Sequence, residues 1–272
     1  MAPTTAKPTC LVIGGRGFVG SAIVECARET YNVTVVGRDD YEHAVGQHFD
    51  LVVNANGNAS RFRANQQPLF DLEASVLSVA RSLADFRGDH YALISSVDVY
   101  HDVTDREATR EDAPVDLEAL CHYGFHKRMA ELTVMRQASS WQIFRLAQMV
   151  GKGLRKGPTF DLLNGRPLWV DRQTRLHYMN TSNVARVVLA LIDEAPRNEA
   201  YNVCGRGTVS LDEVIGMLPE SLRDVTFASQ ERQEYDVNAD KVHALIGLPD
   251  SAAEVREFLA QFPTPPHEDK QL

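Results

Sequence analysis

No apolar run in the 272 residues approaches the roughly 20 needed to span a bilayer, and Met1 to Lys7 lack the apolar core of a secretion signal. A cytoplasmic protein without membrane contact is the expectation. Nor is there an excess of positive charge. The 28 lysines and arginines stand against 37 aspartates and glutamates, and the formal charge of -9 argues against a general affinity for nucleic acid. Cys10, Cys26, Cys121 and Cys204 include no CxxC pair, so neither a disulfide framework nor a zinc site is indicated, and they read as reduced thiols. No internal repeat is present. His122 and His126 are four apart but have no third ligand in evidence, so no metal is assigned and His126 is expected to line a site or to pack.

What is present alternates. Thr9 to Ile13 is a short apolar run that ends in glycines, and Phe18 to Arg28 then has the pattern of a helix. Further strands are read at Val33 to Val36, Leu51 to Val53, Tyr91 to Ile94, Trp141 to Phe144, Pro167 to Val170 and Tyr201 to Val203. Between and after them, helices are read at Leu69 to Phe86, Asp116 to Met135, Asn183 to Asp193, Leu211 to Met217, Asn238 to Leu245 and Ala252 to Phe262. Strands alternating with helices predict an α/β fold. It is a doubly wound parallel Rossmann sheet whose ligand crevice lies at the carboxyl ends of the strands. Residues 1–150, with 183–205 returning to them, form the dinucleotide-binding domain on this reading, and 151–182 and 206–272 form a small C-terminal substrate-binding lobe. The Pro-rich, charged tail from Pro263 is expected to fray.

The turn Gly14-Gly15-Arg16-Gly17-Phe18-Val19-Gly20 follows a strand and opens a helix. Glycines there permit a tight turn, approach of the backbone to a pyrophosphate and close helix packing, with the helix N-terminus facing the anion. The second strand ends Val36-Gly37-Arg38, where a carboxylate would bind the ribose 2′-hydroxyl and an arginine a 2′-phosphate. Arg38 and Arg16 offer two guanidiniums for a phosphate, which predicts NADP over NAD. The alternative is that Asp39 or Asp40 takes the ribose while the arginines are solvated. Gly14, Arg16, Gly17, Phe18, Val19, Gly20, Arg38 and Asn54 are the candidate cofactor residues, together with Lys127.

Farther along, Tyr123-Gly124-Phe125-His126-Lys127 puts a phenol and an ammonium four apart on a helix, on one face. Such a neighbour favours phenolate and is expected to lower the tyrosine pKa. With Gly14 to Gly20 and Ser95-Ser96-Val97-Asp98-Val99-Tyr100 in the same order, the chain resembles the extended short-chain dehydrogenase/reductases, the nucleotide-sugar epimerase/dehydratase group. Tyr178 to Ala185 and Tyr201 to Gly205 extend the resemblance to roughly residues 9–205.

The resemblance implies Ser96, Tyr123 and Lys127 as the catalytic set, with Lys127 also holding the nicotinamide ribose. It further implies a homodimer formed through the Tyr123 helix and the long helix before it. Asp98 falls where the sugar dehydratases carry a glutamate base, yet Val97 replaces their acidic partner, which disfavours dehydration. Ser75, Leu146 and Asn183 depart from the asparagine, proline and aspartate usual in the family, and Asn54-Ala55-Asn56-Gly57 replaces a His-x-Ala-Ala run. The implied partner is a nucleotide sugar. Lys152, Arg155, Lys156, Arg172 and Arg175 could neutralise its diphosphate or form a solvated basic face, and Trp169 or Tyr178 could stack on its base. Asp98, Arg155, Lys156 and Arg175 are the candidate substrate residues. The expected activity is NADP-dependent hydride transfer to a keto group of a nucleotide-linked sugar. The alternatives are an epimerase that retains its cofactor and a non-catalytic NADP-binding regulator.

Overall fold

The computed structural model describes residues 6–261, so Met1 to Thr5 and the tail expected to fray lie outside the described residues. The apolar runs form a six-stranded parallel sheet of order β2-β1-β3-β4-β5-β9. Its strands are β1 (Thr9–Ile13), β2 (Asn32–Val36), β3 (His48–Asn54), β4 (Arg87–Ser96), β5 (Trp141–Leu146) and β9 (Glu199–Val203). Alternation along β1 shows why such strands are apolar throughout. Cys10 and Val12 pack in one core with Ile23 and Val188, whereas Leu11 and Ile13 pack on the opposite face with Val79 and Val134.

The helices that supply these faces are α1 (Phe18–Ala27) and α7 (Thr181–Glu194) on one side and α4 (Ser78–Asp85) and α5 (His122–Gln137) on the other. Short α2 (Arg61–Gln66) and α3 (Pro68–Leu72) precede a π turn, Glu73–Leu77, that runs directly into α4. The helix expected over Leu69 to Phe86 is therefore interrupted by one wide turn. A second correction concerns α5, which starts at His122 rather than Asp116. The Asp116 carboxylate accepts the Glu118 N–H at 3.0 Å and keeps that stretch in a turn.

Past β5, the short strands β6 (Gln148–Val150) and β8 (Tyr178–Asn180) pair with each other, as do β7 (Arg175–Leu176) and β10 (Val209–Ser210). With α6 (Pro158–Leu163), α8 (Leu211–Met217) and α10 (Ser251–Ala260) they enclose a third apolar core, which includes Leu162, Leu168, Tyr178, Val214 and Phe258. Helix α9 (Asp240–Ile246) instead packs beside β9 and contributes Val242 to the sheet's core. The strand expected over Pro167 to Val170 is replaced by a single bridge between Leu168 and Phe227. Tyr178 lies fully inside the third core, so it is unable to stack on a base, while Trp169 stays 71% exposed.

Register places the site. Leu93 of β4 pairs with Asn54, the last residue of β3, so Ser96 stands three residues farther along at the carboxyl edge. Among the described residues no helix is long and apolar enough to cross a membrane.

Candidate active site

At the end of β1 the chain turns through Gly14, at φ +74°, and enters α1 with Gly17 as its N-cap. No side chain caps that terminus, so its first-turn N–H groups remain available to an anion. The turn is also closely packed. A Cβ on Gly20 would stand 2.3 Å from the Gly14 carbonyl oxygen, which explains the glycine spacing. This uncapped cradle fits the pyrophosphate of a dinucleotide.

Beside it, Arg16 forms a two-pronged pair with Asp40, whose carboxylate also accepts the Gly37 N–H at 2.6 Å. The arginine first and the amide second hold the Asp40 carboxyl well below the usual carboxylate range. Arg16 is thus engaged with Asp40, whereas Arg38 is exposed and makes no ion pair among the described residues. Asn54 is turned away from the crevice. Fully buried, it donates to Tyr91 Oη at 2.8 Å and to Ser82 Oγ at 3.1 Å, and its side-chain oxygen accepts the Asn56 N–H. Asn54 ends β3 at the carboxyl edge, and its side chain is taken up by these three bonds.

Ser96 and Tyr123 meet where α5 crosses the end of β4. The Ser96 hydroxyl donates to Asp98 Oδ2 at 3.4 Å and accepts the Asp98 N–H at 3.2 Å, and it stands close enough to the Tyr123 phenol to favour its ionised form. Gly124 allows that approach, because a Cβ there would fall 2.1 Å from the Asp98 carbonyl oxygen. A Gly124→Ala enzyme is therefore expected to lose turnover by at least tenfold, since the overpacking of about 1–3 kcal/mol is relieved only by moving Tyr123. Steady-state rates together with a melting curve check this. Wild-type turnover in a folded variant would show that α5 does not need the close approach.

Lys127 is buried one turn farther along, its Nζ over the Tyr123 ring at 5.8 Å from the centroid. The expected lowering of the tyrosine pKa is not found. Burial, followed by the charge of Asp98, raises the Tyr123 phenol well above its ordinary value. Burial also lowers the Lys127 pKa, an effect that Asp71 opposes.

Two residues without a sequence signal complete the wall. Tyr235 Oη donates to Asp98 Oδ1 at 2.9 Å, and Arg61 Nη1 donates to Tyr235 Oη at 3.2 Å. Arg61 comes from α2 and Tyr235 from the C-terminal segment, so no local spacing could have linked them to Asp98. Lys156 reaches the same region, with its Nζ donating to the Ala59 carbonyl and its charge felt by Lys127.

Two of the other basic candidates are engaged in pairs of their own. Arg172 pairs with Asp212 at 3.3 Å. Arg175 donates to the Thr208 hydroxyl and carbonyl at 3.0 and 2.9 Å and pairs with Glu213, a set of contacts that braces β7 against β10. Arg155 and Lys152 are exposed.

Behind Ser96 and Lys127 runs a buried polar layer. Glu131 accepts from Arg145 Nε and Nη2 at 3.0 and 2.9 Å, from Arg128 at 2.7 Å and from Ser95 Oγ at 2.6 Å. Arg145 also donates to Tyr100 Oη, which donates to Asn202. Two signals could have found the pair: Glu131 extends the Tyr123/Lys127 face by four more residues, and Arg145 is a charge inside an apolar strand. Asn183, where an aspartate is usual, donates to Glu254 Oε1 at 2.5 Å, while Glu254 Oε2 accepts the Asn180 N–H at 2.6 Å.

The model of the NAD dependent epimerase/dehydratase family matches residues 10–204. No curated protein matches the chain. Similar solved structures include a UDP-N-acetylglucosamine 4-epimerase from Methanobrevibacter ruminantium M1 in complex with UDP-N-acetylmuramic acid. It shares 15% identity over 94% of this chain and 98% of that chain, with a TM-score of 0.77. A UDP-glucuronic acid 4-epimerase from Bacillus cereus in complex with UDP-glucuronic acid and NAD shares 16% over 93% and 99%, with a TM-score of 0.76. RMD from Pseudomonas aeruginosa complexed with NADPH shares 18% over 93% and 98%, with a TM-score of 0.75. At these identities the likeness establishes the fold.

Proposed function

The chain belongs to the NAD dependent epimerase/dehydratase family, and from that membership we propose that it reduces a keto group of a nucleotide-linked sugar with NADPH. The observation that carries this reading is the meeting of Ser96, Tyr123 and buried Lys127 at the carboxyl edge of the sheet that also bears the Gly14 to Gly20 turn. When bound, the nicotinamide supplies the hydride. Tyr123 then delivers a proton to the oxygen of the carbon being reduced, and Ser96 donates a hydrogen bond to that oxygen as charge develops on it. Lys127 holds the nicotinamide ribose and keeps a positive charge beside the phenol ring. Residues 151–182 and 206–261 close over the sugar, with Arg61, Asp98, Tyr235 and Lys156 nearest the reacting carbon.

Burial keeps the Tyr123 phenol in its protonated form. A tyrosine protonated through the neutral range is ready to give a proton, whereas oxidation needs it as a base. Arg38 supports NADP. Asp40 is engaged with Arg16 and Gly37, and exposed Arg38, with no ion pair among the described residues, is open to a 2′-phosphate. In Arg38→Ala, loss of a charge-assisted contact of about 1.5–3 kcal/mol predicts a KM for NADPH raised roughly 10- to 100-fold, with that for NADH unchanged. An unaltered preference between the two would defeat the assignment. Leu69, Leu77 and Leu132, exposed on α3, the π turn and α5, support pairing of two copies through those helices.

A further inference from the structure

His126 directly precedes Lys127 and is 6% exposed, with its Nδ1 2.7 Å from Asp71 Oδ2. Asp71 lies on α3 with no exposed surface at all. Its other oxygen accepts from Asn58 Nδ2 at 2.9 Å and from Ser75 Oγ at 3.3 Å. Each oxygen of this buried carboxylate is therefore held from outside α3, by α5, the β3–α2 loop or the π turn. The Lys127 ammonium is close by. A Cβ built on Gly57 would stand 3.1 Å from Lys127 Nζ and 3.7 Å from Ser75 Oγ, so the ammonium shares the space over Gly57 with a hydroxyl that donates to Asp71.

We infer that Asp71, locked by His126, Asn58 and Ser75, is the counter-charge that keeps the buried Lys127 protonated and aimed at the reacting centre. It is a positioning residue, since it acts through Lys127, and the inference rests on the role given to Lys127 above. Burying an ammonium favours its neutral form, and a fixed carboxylate nearby is the direct remedy. The other titratable groups that bear on Lys127 are Glu131 and Tyr123 from α5, Asp98 from the turn after β4, and Lys156 from across the cleft. Glu131 is already shared by Arg145 and Arg128, and Asp98 by Tyr235 and Arg61, whereas Lys156 repels. Asp71 is the carboxylate whose partners leave its charge to Lys127.

The test is NADPH binding, followed by nucleotide fluorescence from pH 6 to pH 10 in the wild type and in Asp71→Asn. An opposite charge at short range shifts a pKa by about 1–3 units, so the alkaline loss of binding should begin at least about one pH unit lower in the variant. The sign follows from the ammonium: without Asp71 its pKa falls further, and the charge is lost earlier as pH rises. Affinity at pH 6 should match the wild type, and above the alkaline loss in both proteins it should be about tenfold weaker. Should the single variant fail to fold, Asp71→Asn with His126→Asn replaces the hydrogen-bonded pair by two amides and serves the same comparison. Alkaline loss at one pH in both proteins would overturn the role of Asp71 while leaving that of Lys127. Binding independent of pH in both would overturn the two together.

Discussion

Replacing Tyr123 by phenylalanine is expected to lower turnover by about 10²- to 10⁴-fold, the range a positioned proton donor contributes, while the cofactor binds as in the wild type. The separation follows from the geometry. The phenol oxygen meets Ser96 beside Asp98, at the end of β4, whereas the dinucleotide cradle is built from the β1–α1 turn on another strand. Phenylalanine preserves the packing of a ring that is 7% exposed, so α5 keeps its place. A variant that binds NADPH and retains more than a tenth of wild-type turnover would remove Tyr123 from the reaction. A pH profile adds a second reading. Since burial and Asp98 raise the phenol, reductive turnover should hold through the neutral range and fall only in the alkaline limb.

Removing one half of the Glu131–Arg145 pair should have the largest effect on stability. Both side chains are buried, at 0% and 1% exposed, and Arg145 reaches Glu131 with two hydrogen bonds. Glu131→Ala leaves a guanidinium in the core with Tyr100 and the Glu111 carbonyl as its remaining partners. The expected cost is about 3–5 kcal/mol, and the melting temperature should fall by on the order of 10 °C. A pH dependence identifies the cause. Burial alone would raise the Glu131 carboxyl, but Arg145 holds it below its ordinary value, so its stabilisation is present above the usual carboxylate range and is lost as pH falls through the lowered pKa. Denaturant melts of the wild type and the variant should therefore converge towards acid pH. Equal stability at neutral pH would show that the pair contributes nothing net. Glu131→Met with Arg145→Met is expected to recover much of the loss, because the penalty comes from an unpaired charge.

What the sequence disclosed followed from local spacing. Short continuous apolar runs mark the sheet, the glycine turn marks the first β–α junction, and residues four apart put Tyr123 and Lys127 on one face of α5. What it did not disclose lies across long separations. Arg61, Asp98 and Tyr235 converge from three segments, and Asp71 meets His126 across 55 residues, contacts that no window of periodicity can register. The direction of the Tyr123 pKa escapes local spacing for a related reason. A pairwise view of phenol and ammonium leaves out burial, which outweighs the lysine here. The π turn was hidden because its residues have ordinary helical composition, and the Asp116 turn because one carboxylate overrides a helical pattern. Arg16 could be read as a phosphate ligand or as solvated, and the structure adds a third arrangement, a pair with Asp40.

Hydride transfer at the Tyr123 centre is the central claim, and isotope transfer measures it most directly. Purified protein would be incubated with NADPH carrying two deuteriums at nicotinamide C4 and a nucleotide-linked ketosugar, and the sugar product weighed by mass spectrometry. The account predicts one deuterium on the new carbinol carbon for each NADPH oxidised, and only a small residue of that label with Tyr123→Phe. A product without deuterium, or label delivered equally well by Tyr123→Phe, would contradict it.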